Sequence, residues 1–370
     1  MKKLLWAFIV AGLLLPSMAA AQFVLEYPDG ELQISGRIRP AFAYRFYQEG
    51  DYNHKKNRFY VHQARIKLEG EMFDVFEYEL QIEVRGYDDG EIGKDLYLEY
   101  KPVSTFMIRA GQFKVPYSRT RMVSTSKLAF TTRPAVADEF VPGRDRGVMV
   151  RFRTSDRKYV LYAGAFAGNG DNTKNDDRLG RPLYAVRVEA APLGKIPKTE
   201  GDIEMTPSPR FLVGLNVAYS DDAGPTEEDY PRTICGRKNL FGGDFTFKYS
   251  GFYFKFEANF AKLQSFESLE PPTLGANSYY AGGFLVAASY YISSLKIEPV
   301  IQYDQFDPMT HKLGSYSNSV QRTITFGMNY LPFGHDFKIM ANYFKRLPYP
   351  GGDHQWKEDE LRIIAQLMIG

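Results

Sequence analysis

Residues 75–87 read VFEYELQIEVRGY and carry two distinct faces. Phe76, Tyr78, Leu80, Ile82 and Val84 fall on one side. Glu77, Glu79, Gln81, Glu83 and Arg85 fall on the other. Successive side chains of a strand point to opposite faces, so a period of two reads as a strand with one apolar and one wet surface. A slip of one residue would place Arg85 on the apolar side. If that side met lipid, the slip would cost up to about 2–4 kcal/mol, with the glutamates adding smaller amounts.

The same alternation recurs along the chain. Phe252, Phe254, Phe256, Ala258 and Phe260 oppose Tyr253, Lys255, Glu257 and Asn259. Leu295, Ile297, Pro299, Ile301 and Tyr303 oppose Lys296, Glu298, Gln302 and Asp304. Leu361, Ile363, Ala365, Leu367 and Ile369 oppose Arg362 and Gln366. Sixteen segments of this kind are expected, near 31–47, 58–72, 75–87, 94–101, 105–113, 145–154, 158–167, 182–191, 210–220, 238–250, 252–264, 277–291, 293–304, 318–331, 336–346 and 358–369.

Their connections alternate in length. Short ones are Phe73-Asp74, 102–104, 155–157, Gly251, Ile292 and 332–335. Long ones are 48–57, 88–93, 114–144, 168–181, 221–237, 265–276, 305–317 and 347–357, and only 192–209 breaks the rule by being long where a short turn is due. A soluble sandwich has no reason to lengthen every second loop. A transmembrane β-barrel has tight turns at one end and longer loops at the other. Closure also removes the open edges that so many strands would otherwise expose. The expectation is an all-β chain forming one antiparallel transmembrane barrel of about sixteen strands over residues 22–370, with both termini at the periplasmic end.

Composition agrees. Among 370 residues there are 28 Phe, 26 Tyr and 32 Gly but 2 Trp, a balance that favours strands. A charged fraction of 24% beside 44% hydrophobic residues excludes a disordered tail protein. After residue 21 no apolar run approaches the roughly 20 residues of a membrane helix, which excludes a helical bundle. Residues 1–21 read as a cleaved signal peptide. Lys2 and Lys3 form its basic start, Leu4 to Leu15 its apolar run, and Ala19-Ala20-Ala21 its cleavage site, so the mature chain is expected to begin at Gln22. Of 46 basic side chains two leave with it, and 44 remain against 44 acidic ones. That balance gives no electrostatic reason to expect a nucleic-acid partner. Cys235 is the one cysteine, so neither an internal disulfide nor a cysteine-based zinc site is expected.

Two motifs flank the longest loop. Gly111-Gln112-Phe113-Lys114-Val115-Pro116-Tyr117 precedes it, and Phe140-Val141-Pro142-Gly143-Arg144-Asp145-Arg146-Gly147-Val148 closes it. Together with Asp95-Leu96-Tyr97-Leu98-Glu99-Tyr100 and Gly168-Asn169-Gly170, they make residues 31–192 resemble the phosphate-selective porin O and P family. The resemblance implies a trimeric sixteen-stranded channel of the Gram-negative outer membrane, with its third outer loop folded into the pore. Family members pass phosphate or polyphosphate. Thr132-Arg133-Pro134 keeps only the base of the family's acidic-basic-serine step, a departure that argues against strict phosphate specificity.

Charge singles out the same loop. Residues 114–146 hold Lys114, Arg119, Arg121, Lys127, Arg133, Arg144 and Arg146 against Asp138, Glu139 and Asp145, a net charge of +4. Loop 221–237 comes to −3, and 88–94 and 265–276 to −2 each. Arginine forks suit phosphate and carboxylate oxygens, and rings of bases select anions. Arg119, Arg121, Lys127 and Arg133 are therefore the expected constriction residues. Arg37, Arg39, Arg65, Lys67, Arg85, Arg109, Arg151 and Arg153 are expected on the inner wall. The alternative is an ordinary wet lumen, because Glu69, Glu71, Glu99 and Glu189 also face inward. The expected partners are lipid, lipopolysaccharide, small anionic solutes and two further copies of the chain.

Catalysis finds little support. Of His54, His62, His311, His335 and His354, only His62 falls in an expected strand, and no serine shares its face nearby. No cluster has metal-ligand spacing. Asp171, Asp176 and Asp177 read as a solvated loop rather than a calcium site. No catalytic residue, metal or cofactor is expected. Two alternatives to a channel are an outer-membrane enzyme and a non-conducting structural or adhesive barrel, the latter with 192–209 lying across the periplasmic mouth. The topology yields a direct test. Cysteines placed in 48–57, 221–237 and 305–317 should react with an impermeant thiol reagent on intact cells, whereas labelling at 332–335 would reverse the orientation.

Overall fold

The computed structural model describes residues 23–46, 57–85, 93–138, 142–168, 182–220, 237–264, 278–307, 320–347 and 358–370. Among these described residues seventeen strands form one sheet. They are β1 (Phe23–Tyr27), β2 (Gly30–Phe46), β3 (Asn57–Met72), β4 (Phe76–Glu83), β5 (Gly93–Val103), β6 (Phe106–Lys114), β7 (Arg144–Arg153), β8 (Tyr159–Phe166) and β9 (Leu183–Ala190). The chain continues through β10 (Arg210–Ser220), β11 (Arg237–Tyr249), β12 (Phe252–Gln264), β13 (Ser278–Tyr290), β14 (Ile297–Asp307), β15 (Gln321–Phe333), β16 (Phe337–Arg346) and β17 (Asp359–Ile369).

Each strand from β2 onward pairs antiparallel with the next. The last, β17, returns to β2, with Asp359 opposite Phe46 and Ile369 opposite Gly36. That pairing closes a barrel of sixteen strands. Its strands are the sixteen expected segments, and two of them, 210–220 and 252–264, match to the residue. Other boundaries moved for local reasons. The strand expected over 293–304 begins only at Ile297, because Lys296 takes a positive φ of 54° inside a turn. The one expected over 75–87 runs as a strand from Phe76 to Glu83, and its last two residues lie outside the described residues.

The extra strand, β1, was not expected. It spans five residues, FVLEY, too few for alternation to stand out. It pairs with the stretch of β2 that β17 leaves uncovered, Phe23 opposite Ile34 and Tyr27 opposite Gly30.

Burial is inverted relative to a soluble protein. Along β12, Tyr253, Lys255, Glu257 and Asn259 are buried, while Phe256 and Phe260 are 40% and 59% exposed. Along β10, Leu212 and Asn216 are buried while Leu215 is 65% exposed. The polar row faces inward and the apolar row outward, the arrangement that a wall between lipid and water requires.

Tight turns gather at one end, called here the turn end. Phe73 and Asp74 both take positive φ, 54° and 56°, as do Ser250 and Gly251, 48° and 87°. Two such residues make a hairpin turn whose twist matches the strands. The exception is 191–209, a long connection between β9 and β10 that buries Ile196, Glu200, Asp202 and Thr206. Residues 1–22, with the expected signal peptide, lie outside the described residues. So do most of the other long connections, with Cys235, His54, His311, His354, Asp171, Asp176 and Asp177.

Gly111 shows how narrowly the wall is packed near the long loop. Its φ is +131°, and a Cβ there would lie 2.2 Å from the Leu96 carbonyl oxygen across the β5–β6 pair. Gly111→Ala should therefore destabilise the barrel by about 1–3 kcal/mol. A lower temperature for conversion of the folded to the unfolded band in gel electrophoresis would register it.

Candidate functional site

Residues 115–138 leave β6 and run as short turns, a helical one at Arg119–Met122, a 3-10 turn at Thr125–Lys127 and a helical one at Ala135–Asp138. Few of their backbone groups find partners within the segment, and the wall supplies the rest. The amide N–H groups of Thr120, Ala129, Thr131 and Ala135 donate to Glu257, Glu200, Asn342 and Asp304. The carbonyls of Tyr117, Ser126, Leu128 and Ala129 accept from Arg187, Gln366, Lys338 and Asn329. Apart from Glu200, these partners lie on the buried polar rows of β9, β12 and β14 to β17, so the segment rests against the polar side of the wall. Phe113, Val115, Tyr117 and Val136 pack with Met149, Tyr162, Phe166, Leu285 and Phe306 beneath it.

Arg187 is fully buried in this framework, with no exposed side-chain surface. It is 2.6 Å from Asp244 Oδ2 and 2.9 Å from Glu189 Oε1, and it donates to the Tyr117 carbonyl at 2.8 Å.

On the opposite side of the segment lies a polar cavity of about 190 Å³. Six of its lining residues are cations: Arg65 from β3, Lys94 from β5, Lys114 from β6, Arg144 from β7, and Arg121 and Arg133 from the segment itself. Gln63 and Thr125 add neutral polar groups. Three carboxylates meet these cations. Glu83 is 2.9 Å from Arg65, Asp95 takes both nitrogens of the Arg144 fork at 3.1 and 2.7 Å, and Asp138 pairs with Arg121. Lys114 and Arg133 are held by carbonyls instead. Lys114 Nζ donates to Met122 and Val123 at 3.2 and 2.8 Å, and Arg133 donates to Thr120 and Val123 at 3.2 and 2.7 Å. A carbonyl orients a cation without neutralising it. Burial draws the Arg133 guanidinium down to about 10, Asp138 opposing this and Arg121 and Arg144 adding to it, so it stays charged at neutral pH.

The wall register brings like charges face to face. Arg37 stands opposite Arg65 and Lys114 opposite Arg144. Directly opposed like charges destabilise a sheet. Beside the cavity, Arg37 donates to Thr125 Oγ1 at 3.0 Å and Arg39 to Gln63 Oε1 at 3.3 Å. Arg37 Nε and Arg39 Nε and Nη2 are buried without a hydrogen-bond partner among the described residues. Toward the turn end the sign reverses: Glu31 faces Glu71, Glu71 faces Glu77, and Glu77 faces Glu99.

The expected site residues thus divide. Arg121 and Arg133 reach the cavity with Arg65, and Arg37 and Arg39 stand next to it. Arg119 does not; it is buried on the other side, donating to the Pro197 carbonyl at 3.0 Å and lying 3.7 Å from Glu189. Lys127 is exposed, and its carbonyl accepts from the Glu200 amide at 2.9 Å. Lys67 pairs with Glu69, and Arg109 with Glu99 while stacking 3.9 Å from the Tyr97 ring. Arg85 donates to the His62 carbonyl, Arg153 to that of Ser104, and Arg151 stands opposite Met107. Lys94, Lys114 and Arg144 belong to the cavity but were not among the expected site residues. The sequence holds a signal for two of them, since Lys114 and Arg144 frame the loop and its ends must pair.

Comparison with known proteins adds four findings. The phosphate-selective porin O and P family matches residues 33–348. An uncharacterized protein of Aquifex aeolicus (strain VF5) is 24% identical over 349 residues, covering 83% of this chain and 80% of its own. Among solved structures, OmpT of Vibrio cholerae in its trimer form matches with a TM-score of 0.58 at 11% identity, covering 92% of this chain and 99% of its own. The anion-selective porin from Comamonas acidovorans matches with a TM-score of 0.56 at 12% identity, covering 92% of this chain and 100% of its own. At such identities the structural likeness is one of fold.

The buried arginine gives this framework a clear test. Arg187→Met would leave Asp244 and Glu189 buried without their cation, a change that costs about 3–5 kcal/mol. The barrel should unfold at markedly lower temperature in detergent, followed by circular dichroism.

Proposed function

Because the chain belongs to the phosphate-selective porin O and P family and forms an outer-membrane β-barrel channel, we propose that it passes small hydrophilic anions by diffusion, phosphate among them. The observation that carries this reading is the two pairs of opposed cations, Arg37 with Arg65 and Lys114 with Arg144, at a cavity lined by six bases. A wall that places like charges opposite one another is relieved when an anion sits between them. In this reading residues 115–138 form the constriction, and Arg121 and Arg133 are its filter. The carboxylates near the turn end sit beyond the filter and let the anion go, since conduction needs binding that is favourable but brief.

Residues 1–21 direct export and are removed after Ala21, and the apolar outer rows meet lipid and, at the loop end, lipopolysaccharide. A homotrimer fits the family and the trimer form of OmpT. The turn end faces the periplasm. Family and fold favour a channel over an enzyme.

Reversal potentials in a salt gradient across a planar bilayer test the filter. Arg121→Gln with Arg133→Gln should shift permeability from anions toward cations. Arg119→Gln with Lys127→Gln, away from the cavity, should shift it less. The difference should fade at high salt, since the Debye length falls from about 10 Å at 0.1 M to about 3 Å at 1 M. A parent reversal potential kept by the first variant at low salt would refute the assignment.

A further inference from the structure

The connection 191–209 is far longer than its position requires. It joins β9 to β10, neighbours in the ladder, and hairpin loops of about 2–5 residues suffice for such a step. The additional length is not a solvated loop. Ile196, Glu200, Asp202 and Thr206 are all buried, and Gly201 packs so closely that a Cβ would meet Glu298 Oε1 at 2.2 Å.

Its fastenings run in three directions. At the turn end, both Asp202 oxygens accept from Thr206, and Oδ2 also accepts from the Gly251 amide at 2.8 Å in the β11–β12 turn. On the wall, Lys248 donates to Thr199 at 2.7 Å, Lys255 pairs with Glu200 at 2.5 Å and Lys198 donates to Tyr162 at 3.1 Å. The third direction is the long loop. The Glu200 amide donates to the Lys127 carbonyl at 2.9 Å, Glu200 Oε2 accepts from the Ala129 amide at 3.0 Å, and Arg119 donates to the Pro197 carbonyl at 3.0 Å. Glu200 therefore ties both segments to the β12 wall with one side chain.

These contacts lie against β8, β11, β12 and β14. The basic cavity lies against β3 and β5 to β7. We propose that 191–209 is a plug entering from the turn end, which holds the Arg119–Ala129 stretch in place and confines the passage to the β3–β7 side. Glu200 is its positioning residue. Neither segment has regular structure enough to hold its own shape. Each satisfies backbone groups of the other, so the width of the passage depends on both. The wall that the plug covers carries Lys248, Lys255 and Glu298, so uncovering it adds a second lane of mixed charge beside the basic one. The proposal rests on the channel reading above for its transport consequence and on the contacts alone for the plug.

The test replaces residues 193–208 with a short Asn-Gly turn in the otherwise full chain and compares single-channel conductance and reversal potential with the parent. The shortened barrel should conduct roughly twofold more, with anion preference reduced, because the constriction sets both. An assembled shortened barrel with the parent's conductance would overturn the proposal. A silent parent beside a conducting shortened variant would keep the plug and remove the channel reading. Point variants decide the matter if the shortened chain does not assemble. Glu200→Ala removes the acceptor for the Ala129 amide and should make the open current noisier. Glu200→Gln keeps an acceptor and should restore the quiet current. Equal noise in Glu200→Ala and the parent would overturn the proposal.

Discussion

The structure turns on one requirement: a peptide without regular hydrogen bonding must be solvated inside a closed wall. Strands satisfy their own backbone by closing the ladder, and the outward apolar rows need nothing further. Residues 115–138 have no such ladder. Each buried N–H or C=O there needs a partner, because a buried unpaired group costs free energy comparable to a lost hydrogen bond. The wall meets this need with acceptors for amides, such as Glu257 and Asp304, and donors for carbonyls, such as Lys338 and Asn329. The inner polar row is thus a scaffold as much as a water-facing surface.

That requirement sorts the charges. Arg187 and Arg119 are consumed by carboxylates and carbonyls on one side of the segment. On the other side Lys114 and Arg133 are oriented by carbonyls, which fix position without supplying an opposing charge. The two roles use the same residue types, and their difference is geometric. A fully buried cation closed in by carboxylates, such as Arg187, acts chiefly in holding structure. A cation anchored by a neutral oxygen still projects a field into the cavity, where low-dielectric walls keep that field strong.

The carboxylates at the turn end complete an axial polarity. Glu31, Glu71, Glu77 and Glu99 stand in one cross-strand row, with Lys101 paired to Glu77 and Glu99. An excess of bases around the cavity and an excess of acids nearer the turn end are thus stacked along the bore. A near-neutral total charge conceals this completely.

The sequence by itself determined the barrel. Period-two alternation, with Arg85 and its neighbours forbidden from lipid, settles strand number and face, and the lengths of the connections settle which ends meet. It also marked 114–144 through charge and flanking motifs. What only the tertiary structure decided is which bases share a space. Arg119 and Arg121 are two residues apart, yet one is buried against Glu189 and the other reaches the cavity, because a single helical turn points them to different sides. The length of 192–209 already set that connection apart, but its contacts were hidden. Its partners Lys127, Ala129 and Lys255 lie dozens of residues away, and irregular backbone has no periodicity from which a contact could be read. Alternation is a local consequence of strand geometry. The packing of two loops inside a closed wall is set by distant side chains, and so becomes visible only once the barrel has closed.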